Sequence, residues 1–477
     1  MNVLENIKPE RVMHYFEEIS SIARGSGNTE RICDYCVEFA KNHFLSVRRD
    51  KYNNCIIEKA ASDGSKCTEA IILQGHIDMV CEKTEDCTLD MDKDGLRLCT
   101  DGEYIWADKT TLGGDDGIAV AMILAILENN DLPMPPIYAV LTSDEEIGMI
   151  GAEGLDMSGI NAHRLINIDS EDEGVFTVGC AGGCTAECVI PVKRESVQGN
   201  LYRVKIAGLT GGHSGTEINR GRLNACVLLG RVLEEIKGKI ININGGGKDN
   251  AIASSASAEF CSNEDISKYA EDLEKIFRAE APEEDKGVCV KIEKCGSGVY
   301  SALDELSAKR ALAMLLCLPG GVQSMSCEIE GLVRTSLNLG ILKTGEDKIT
   351  ASLCVRSMLG TEKKALLDKI FTLAELLGGA AFVKGDYPAW EYSGDSELCR
   401  IMTEVFERQY GRKPKIEAIH AGLECGLFCG KIKNLECVSI GPDILDIHTP
   451  KEKLDILSVE RVWSYLLAVL EQMSGEL

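Results

Sequence analysis

Histidine is scarce in this chain, with 7 in 477 residues, so its positions are informative. His76 stands in LQGHIDMV, directly after the apolar run AIILQ (70–74), and Asp78 follows two positions later. Side chains two apart in an extended segment point the same way. The Asp78 carboxylate could therefore accept a hydrogen bond from the His76 ring and fix the tautomer that binds a metal. Because His-x-Asp also arises by chance, the pair alone favours a structural role.

Paired acidic residues occupy two further positions of this kind. Asp115 and Asp116 stand in TLGGDDGIAVAM, where a glycine-rich turn opens a long apolar helix, and Glu145 and Glu146 end the strand pattern AVLTSDEEIG. Asp at a helix N-terminus is a common cap, and three acids after a buried strand form an ordinary solvated turn. Taken singly, each pair favours the simpler interpretation.

Asp169 and His448 are two further candidate residues, and together with the residues above they could form one site. Asp169 ends the strand pattern RLINID, and His448 follows another apolar strand in DILDIHTPKEKLD. Two histidines and three or four carboxylates at the ends of parallel-type strands are what a pair of borderline cations needs. One carboxylate can bridge the two ions, and one His and one acid can complete the coordination of each. A further Glu then remains to act as a base. Such a pair polarises a carbonyl and lowers the pKa of a bridging water.

The elements that must position these residues alternate between strand and helix. Short apolar strands over 70–74, 136–143 and 164–169 are joined by helical patterns, including GIAVAMILAILENN over 117–130. This alternation predicts an α/β fold with a doubly wound mixed sheet, largely parallel and covered on both faces. In such sheets functional residues gather at the carboxyl ends of the strands.

The middle of the chain has a different pattern, which predicts an insertion. After Gly182 and Gly183, strands such as LYRVKIAG alternate with glycine-rich turns and amphipathic helices, and the same pattern occurs a second time before residue 386. We interpret residues 183–385 as an inserted, two-lobed α+β lid domain. Residues 1–182 and 386–477 are then the two parts of a discontinuous catalytic domain.

Charge and length exclude several classes of protein. The chain has 51 Lys and Arg against 76 Asp and Glu, a net charge of −25. An acidic surface of this size repels phosphate backbones and anionic lipid, so neither a nucleic acid nor a membrane is expected as a partner. The sequence has no apolar run long enough to span a bilayer, and its start lacks the pattern of a signal peptide. These features predict a cytoplasmic protein with more than one domain.

The 21 cysteines leave a metal-site alternative open. Cys33 with Cys36, and Cys180 with Cys184 and Cys188, have spacings that could serve a metal. Most cysteines of a cytosolic chain are small core residues, and a structural zinc site needs four ligands. We therefore favour a structural role for both groups.

Five motifs, in this order, resemble a known family: GHIDMV, GGDDG, TSDEEIG, NID and IHTP. They are similar to the dizinc metallopeptidase family that includes carboxypeptidase G, aminoacylase and cytosolic dipeptidases. The longer stretches WADKTTLGGDDGIAVAM, GGHSGTEINRGRLNA, INGGGKDNAI and HAGLECGLF resemble its aminoacyl-histidine dipeptidase branch. The resemblance covers essentially the full chain.

The resemblance implies two zinc ions per chain and a ligand set. His76 and Asp169 would bind one ion, Glu146 and His448 the other, and Asp115 would bridge them. Manganese or cobalt would suit such a mixed nitrogen and oxygen site nearly as well.

Further roles near the metals follow from the same resemblance. Asp78 would orient His76, and Glu145 would be the general base that takes a proton from the bridging water and delivers it to the leaving amine. In this family the peptide bond after the bridging Asp is cis, so we expect a cis Asp115–Asp116 bond.

The resemblance also assigns substrate-binding residues. His213 in TGGHSG matches a lid histidine that stabilises the oxyanion, Asn250 matches its polar neighbour, and Arg356 in CVRSM matches an arginine that grips the substrate carboxylate. In dimeric relatives the lid histidine comes from the partner subunit. Because the second lobe could replace the partner's lid, we expect His213 to act within its own chain. Without the resemblance, TGGHSG would be a plain turn and Arg356 a surface charge. Three further residues are expected to line the pocket: His420, Gly422 and Glu424.

The implied activity is hydrolysis of dipeptides, with Xaa-His or broad specificity. The alternatives are an N-acyl-amino-acid deacylase or carboxypeptidase of the same fold, and a catalytically inactive metal-binding scaffold. The expected partner is a small peptide substrate, and the chain would be a monomer or a homodimer.

Overall fold

A computed structural model describes residues 3–236, 238–392 and 394–475. The chain divides into two compact units. The first comprises Met1–Gly179, Tyr392–Ala418 and Leu423–Leu477, and the second comprises Cys180–Glu391 and Ile419–Gly422. The second unit is thus an insertion in the first, close to the predicted 183–385.

The boundaries differ from the predicted ones in three short segments. Residues 180–182, 386–391 and 419–422 were expected in the catalytic domain but belong to the second unit. Backbone hydrogen bonds explain this: the Ala181 N–H donates to the carbonyl oxygens of Ile419 and Ala421 at 3.1 and 3.0 Å, and Cys180 and Trp390 exchange a pair of bonds. These contacts join distant segments, so composition along the chain does not reveal them.

In the described part of the chain the strands are β1 (Ser46–Arg49), β2 (Cys55–Lys59), β3 (Ala70–His76), β4 (Leu98–Thr100), β5 (Tyr104–Ala107), β6 (Ile137–Thr142), β7 (Ala162–Asn167), β8 (Val175–Cys180), β9 (Gly182–Pro191), β10 (Arg194–Ala207), β11 (Lys239–Gly246), β12 (Ala256–Ser262), β13 (Cys289–Leu303), β14 (Gly321–Met325), β15 (Val333–Thr344), β16 (Lys348–Ser357), β17 (Ala380–Tyr387), β18 (Lys415–Ile419), β19 (Glu436–Ser439), β20 (Ile444–Leu445) and β21 (Lys453–Asp455).

The α-helices are α1 (Glu10–Ser20), α2 (Glu30–Asn42), α3 (Gly114–Glu128), α4 (Ile150–Gly154), α5 (Ala225–Glu235), α6 (Tyr269–Glu280), α7 (Glu305–Cys317), α8 (Gly360–Leu376), α9 (Glu397–Tyr410), α10 (Glu424–Lys431) and α11 (Ile456–Ser474). None of the helices in the described ranges is both long enough and apolar enough to cross a membrane.

The first unit is built on a mixed sheet with the strand order β1-β2-β6-β3-β7-β19-β8-β18. Its centre, β6-β3-β7-β19, is parallel, and the pairs β1–β2, β2–β6 and β19–β8 are antiparallel. Every residue of β3 is buried, as expected for a central parallel strand covered on both faces. The α/β fold with a mixed sheet is as predicted.

Helix α3 is buried along almost its whole length. Its sequence is apolar on all sides, which is typical of a helix enclosed by other elements. It packs against β3 and α1, and it begins at Gly114, directly before Asp115 and Asp116. These two residues have non-helical backbone angles, so the helix N-terminus presents an irregular turn beside β3.

The second unit is an α+β structure with one long sheet of strand order β13-β10-β12-β11-β15-β16-β9-β17, and β14 pairs with β15. The group β13-β10-β12-β11 meets the group β15-β16-β9-β17 where β11 pairs with β15 at Gly245 and Gly246. A single apolar core under this sheet includes residues from α5, α7 and α8. The repeated pattern of the sequence therefore forms two halves of one sheet.

Candidate metal centre

Four of the predicted site residues meet at one edge of the parallel sheet. His76 is the last residue of β3, Glu145 and Glu146 follow β6, and Asp169 follows β7. These strands are neighbours and run in the same direction, so their carboxyl ends lie side by side. The sequence predicted this placement from the strand patterns alone.

Asp115 contacts both histidines of the site. Its Oδ1 lies 3.0 Å from His76 Nε2, and its Oδ2 lies 3.1 Å from His448 Nε2. His76 Nε2 is also 3.6 Å from Asp169 Oδ1, and His448 Nε2 is 2.9 Å from Glu146 Oε1. The Nε2 atom of each imidazole therefore faces Asp115 and one further carboxylate, so Asp115 is the common neighbour of the two histidines.

The donor set fits divalent cations. Single ligand atoms of Asp115, Glu146 and His448 all lie within 4.8 Å of one another. Tetrahedral bonds of 2.0–2.1 Å place ligand atoms ~3.3 Å apart, close to the nitrogen–oxygen distances above. Hydrogen bonds from the protonated ring to the carboxylates of Asp115 and Glu146 raise the pKa of His448 to about 10. A cluster that retains a proton so strongly has an excess of negative charge, which cations would balance.

The electrostatics around His76 also favour bound cations. Burial opposes a charge on His76, yet its carboxylate neighbours, led by Asp115 and Asp78, raise its pKa well above the usual value. Burial and the nearby Asp116 raise the pKa of Asp169 well above its usual value. These carboxylates crowd one another, and one positive ion between them would relieve both effects.

The Asp78 carboxylate supports two of the segments at the site. Its Oδ1 lies 3.4 Å from His76 Nδ1 and accepts the Glu145 N–H at 3.1 Å. Its Oδ2 accepts the Ser26 hydroxyl at 2.8 Å and the Glu146 N–H at 3.4 Å. The sequence predicted the contact with His76 but not the contacts with the backbone of 145–146, which depend on how β3 and β6 pair.

Glu145 is enclosed among other acids. Burial raises its pKa to about 8, with Glu424, Glu146 and Asp115 adding to the shift and His76 opposing it. A carboxyl group with a raised pKa beside a reactive centre can take up a proton and return it. Its position in the cluster is compatible with the predicted role of general base.

Asp116 is a residue that the sequence analysis did not place in the site. Its Oδ2 accepts the backbone N–H of His76 at 3.0 Å, and it lies with His76 and Asp169 in one potential ligand group. The Asp115–Asp116 peptide bond is cis, as expected. Since the paired aspartates were interpreted as one ligand and its neighbour, only the fold reveals the contact of Asp116 with β3.

The predicted substrate residues of the second unit form a cluster of their own. Arg356 is 7% exposed, its Nη1 donates to Tyr387 Oη at 3.1 Å, and its Nε has no acceptor within the described residues. Burial, Arg356 and His213 lower the pKa of His420 to about 3. Burial followed by Arg356 lowers the pKa of His213. The cluster is a partly buried positive site, as carboxylate binding requires.

Three further predicted residues, His420, Gly422 and Asn250, have contacts in the same part of the second unit. His420 Nε2 lies 2.7 Å from Ser336 Oγ. A Cβ at Gly422 would lie 2.8 Å from the ring of Tyr387, so a glycine fits there. The Asn250 carbonyl accepts the Ser214 N–H at 2.9 Å, which places Asn250 beside the backbone of the residue after His213.

Glu424 is placed differently from His420 and Gly422. It belongs to the first unit, is fully buried at the start of α10, and its Oε2 accepts hydrogen bonds from Gln74 Nε2 at 2.6 Å and Thr142 Oγ1 at 2.7 Å. Its Oε1 has no hydrogen-bond partner in the ranges that the structure describes. The sequence motif HAGLECG thus divides between the two units.

Cys33, Cys36, Cys180, Cys184 and Cys188 are buried, and they form no disulfide bond within the described part of the chain. No cysteine joins a potential ligand group in the part of the chain that the structure describes.

Comparison with known proteins gives consistent matches over the whole chain. Cytosol non-specific dipeptidase of Escherichia coli is 34% identical over 486 residues, covering 100% of both chains. The crystal structure of aminoacylhistidine dipeptidase from Vibrio alginolyticus has a TM-score of 0.90 and 35% identity, covering 98% of this chain and 97% of that one. A tripeptidase from Staphylococcus aureus, with a TM-score of 0.59, 17% identity and coverage of 98% and 99%, shares the fold.

The family match extends over residues 72–472 and includes every segment that contributes to the metal centre, from β3 to the loop of His448. Together with the full-length similarity to the dipeptidase of Escherichia coli, it shows that the chain belongs to peptidase family M20/M25/M40.

Proposed function

We propose that the protein hydrolyses dipeptides in a metal-dependent reaction. The observation that carries the proposal is the geometry of Asp115, which offers one carboxylate oxygen to each of two histidines while the half-buried Glu145 lies in the same acidic cluster. Two full-length relatives at 34% and 35% identity are dipeptidases by name. The name of the first also supports a cytosolic location.

The proposed cofactors are two Zn²⁺ ions, with His76 and Asp169 holding one, Glu146 and His448 the other, and Asp115 both. When bound, they would polarise the scissile carbonyl and lower the pKa of the attacking water. Dialysis against a chelator should abolish turnover, and adding back Zn²⁺, Mn²⁺ or Co²⁺ singly would identify the ion that supports the highest activity at two equivalents per chain.

Glu145 moves the proton in this proposal. Its carboxylate takes a proton from water as the water oxygen attacks the peptide carbonyl carbon. When the C–N bond breaks, the same carboxyl group gives the proton to the leaving nitrogen, so a free amine and a free acid result. Asp78 keeps the backbone of Glu145 and the ring of His76 in place during both steps.

We propose that two residues of the second unit bind the substrate. Arg356 would bind the C-terminal carboxylate of the dipeptide with its planar guanidinium group, and His213 would donate a hydrogen bond to the oxyanion of the tetrahedral intermediate. We assign His213 to its own chain's site. Mixing Glu145→Gln with His213→Ala protein tests this: recovery of activity in the mixture would show that the histidine acts across a dimer.

The test of the reaction is the variant Glu145→Gln. We expect it to bind metal as the natural protein does and to lose activity by about 10³-fold or more, because the amide cannot accept the proton. Glu153→Gln, a change at an exposed residue of α4, is the matched control and should leave activity unaltered. Substantial turnover by Glu145→Gln would exclude the proposed base.

Substrate choice separates the dipeptidase from its alternatives. A panel of Xaa-His dipeptides, other dipeptides and their N-acetylated forms should show preference for a free amino group. A preference for the acetylated forms would instead indicate an N-acyl-amino-acid deacylase.

A further inference from the structure

Two buried charged residues, Glu452 and Arg24, lie around the loop that leads into Asp115. Glu452 is 2% exposed and Arg24 is 1% exposed. Burying an ionised side chain is costly unless its charge and its hydrogen-bonding capacity are both satisfied. The partners of these two groups therefore indicate what they are for.

The Glu452 carboxylate accepts hydrogen bonds from four consecutive backbone N–H groups. Its Oε2 accepts those of Leu112 and Gly113 at 2.7 and 3.0 Å, and its Oε1 accepts those of Gly114 and Asp115 at 2.7 and 3.4 Å. The last of these donors is the residue that would bridge the two ions. A single side chain thus fixes the whole loop at the start of α3.

Arg24 binds the same loop from its carbonyl side. Its Nη2 donates to the Gly113 oxygen at 2.5 Å, and its Nη1 donates to the oxygens of Ile77 and Asp78 at 3.2 and 3.0 Å. Two features of the structure require glycine at position 113. Its φ is +65°, and a Cβ would lie 2.5 Å from Arg24 Nη2.

These contacts join segments that are far apart in sequence. Glu452 lies four residues after His448, and its bonds connect the His448 segment to the loop of Asp115. Arg24 connects that loop to the backbone directly after His76. Since Asp115 must offer one oxygen to each histidine, a shift of its backbone would misplace both halves of the site.

We propose that Glu452 and Arg24 are positioning residues that set the backbone of Asp115 so that its two carboxylate oxygens can serve two metal ions. The inference rests on the proposed function, because it gives Asp115 the bridging role. An alternative is a purely structural role, in which the two side chains stabilise the fold without affecting the metals. Residues that orient metal ligands typically change metal affinity or activity by 10–100-fold when they are replaced, whereas the structural alternative predicts no such change.

The test is the variant Glu452→Gln, which keeps the size of the side chain but turns an NH₂ group toward backbone donors. Its matched control is Glu436→Gln. Glu436 accepts the N–H groups of Glu397 and Leu398 at 3.1 and 2.8 Å at the start of α9, so it is also a backbone acceptor of the first unit. Zn²⁺ titration of the metal-free proteins by calorimetry is the main measurement, followed by kcat and KM of the reloaded enzymes.

We expect Glu452→Gln to bind Zn²⁺ about 10-fold or more weakly, with a lower kcat and a KM within about twofold of the natural value. Glu436→Gln should lose some thermal stability but bind Zn²⁺ normally. Natural affinity in Glu452→Gln, or equal losses in both variants, would overturn the inference while leaving the proposed function intact. Failure of the natural protein to bind Zn²⁺, Mn²⁺ or Co²⁺ would instead refute the proposed function.

If Glu452→Gln does not fold, Glu452→Asp decides the matter. It keeps the charge near Arg24 but is one methylene shorter, so it cannot reach all four donors. We expect the rise in Tm on adding Zn²⁺ to be smaller than in the natural protein, and an unchanged rise would contradict the positioning role.

Discussion

At the scale of single residues, Tyr387 holds Arg356, the residue proposed to bind the substrate carboxylate. Its hydroxyl accepts a hydrogen bond from Arg356 Nη1 at 3.1 Å, and its ring fills the space beside Gly422. Tyr387→Phe keeps the ring and removes only this acceptor. Loss of one hydrogen bond to a charged group costs about 1.5–3 kcal/mol, so we expect KM for dipeptides to rise about tenfold or more with kcat nearly unchanged. A fall in kcat at constant KM would place Tyr387 in another role.

His420 makes a prediction about pH and stability. Its pKa in the folded protein is lowered to about 3 by burial, Arg356 and His213, whereas an unfolded histidine has a pKa of about 6.5. Between these two values the unfolded chain binds a proton that the folded chain does not. The free energy of unfolding should therefore fall as pH drops below about 6.5, by about 1.4 kcal/mol for each pH unit.

The variant His420→Gln isolates this contribution, because glutamine can still bond to Ser336 but does not titrate. Urea unfolding at pH 7.5, 6.5 and 5.5 should give a smaller loss of stability for the variant than for the natural protein. His163→Gln, at an exposed residue of β7, is the control and should follow the natural protein. Parallel curves for all three proteins would rule out the effect.

The side chains of the proposed metal site could be selected from the sequence because their chemistry is local and specific. His76, Glu146 and Asp169 lie at or shortly after the carboxyl ends of apolar strands, which places them at one sheet edge. Glu452 and Arg24 could not be found in this way. Their partners are backbone atoms of distant residues, and a single buried acid or arginine has no pattern in sequence that distinguishes it from a surface charge.

At the scale of secondary structure, element identity was predictable and element ends were not. The helix predicted over 117–130 begins at Gly114 and ends at Glu128. The strand predicted over 70–74 continues to His76, because β3 pairs with β6 as far as His76 and Thr142. The extension matters for function, since it makes the first ligand part of the buried sheet and thereby fixes its backbone.

Lys59 binds the C-terminal end of helix α3, as Glu452 binds the loop at its N-terminal end, and its contribution can be tested. Lys59 is 7% exposed, and its Nζ donates to the carbonyl oxygens of Ile126 and Leu127 at 3.1 and 2.9 Å and also to that of Asn129. These carbonyls lie in the last helical turn and directly after it, where the helix has few N–H donors left to offer. Lys59→Met should lower the free energy of unfolding by about 2 kcal/mol, measured with urea. Lys41→Met, at the end of α2, is the control and should cost much less.

At the scale of the molecule, each unit has its own apolar core, and the two play different parts in the proposed reaction. The sequence predicted an insertion because the strand and helix pattern changes after Gly183. It did not predict that residues 419–422 belong to the inserted unit, since their partner Ala181 is more than two hundred residues away. His420 and Gly422 thus stand beside Arg356 and Tyr387, although they follow a strand of the first unit.

This division into two units predicts which segments open more often when the metal ions are removed. All five proposed ligands lie in the first unit, and acids and histidines are in close contact where their segments meet. Without ions the carboxylates repel one another, so the loops around residues 112–116 and 444–453 should open more often. Hydrogen exchange measured by mass spectrometry, with and without a chelator, should show faster exchange there. Strands β10 to β13 of the second unit should be unaffected.

The variant Glu145→Gln is the control for this experiment, because it keeps every proposed ligand and should respond to the chelator as the natural protein does. Saturating ions stabilise only the state that binds them, by RT ln(1 + [L]/Kd), so protection of the two loops should grow with metal concentration and then level off. Exchange that rises equally in both units would mean that the ions stabilise the whole chain. Exchange that does not change in either loop would mean that hydrogen bonds such as those of Glu452 and Arg24 hold these segments without metal, and this prediction would then be wrong.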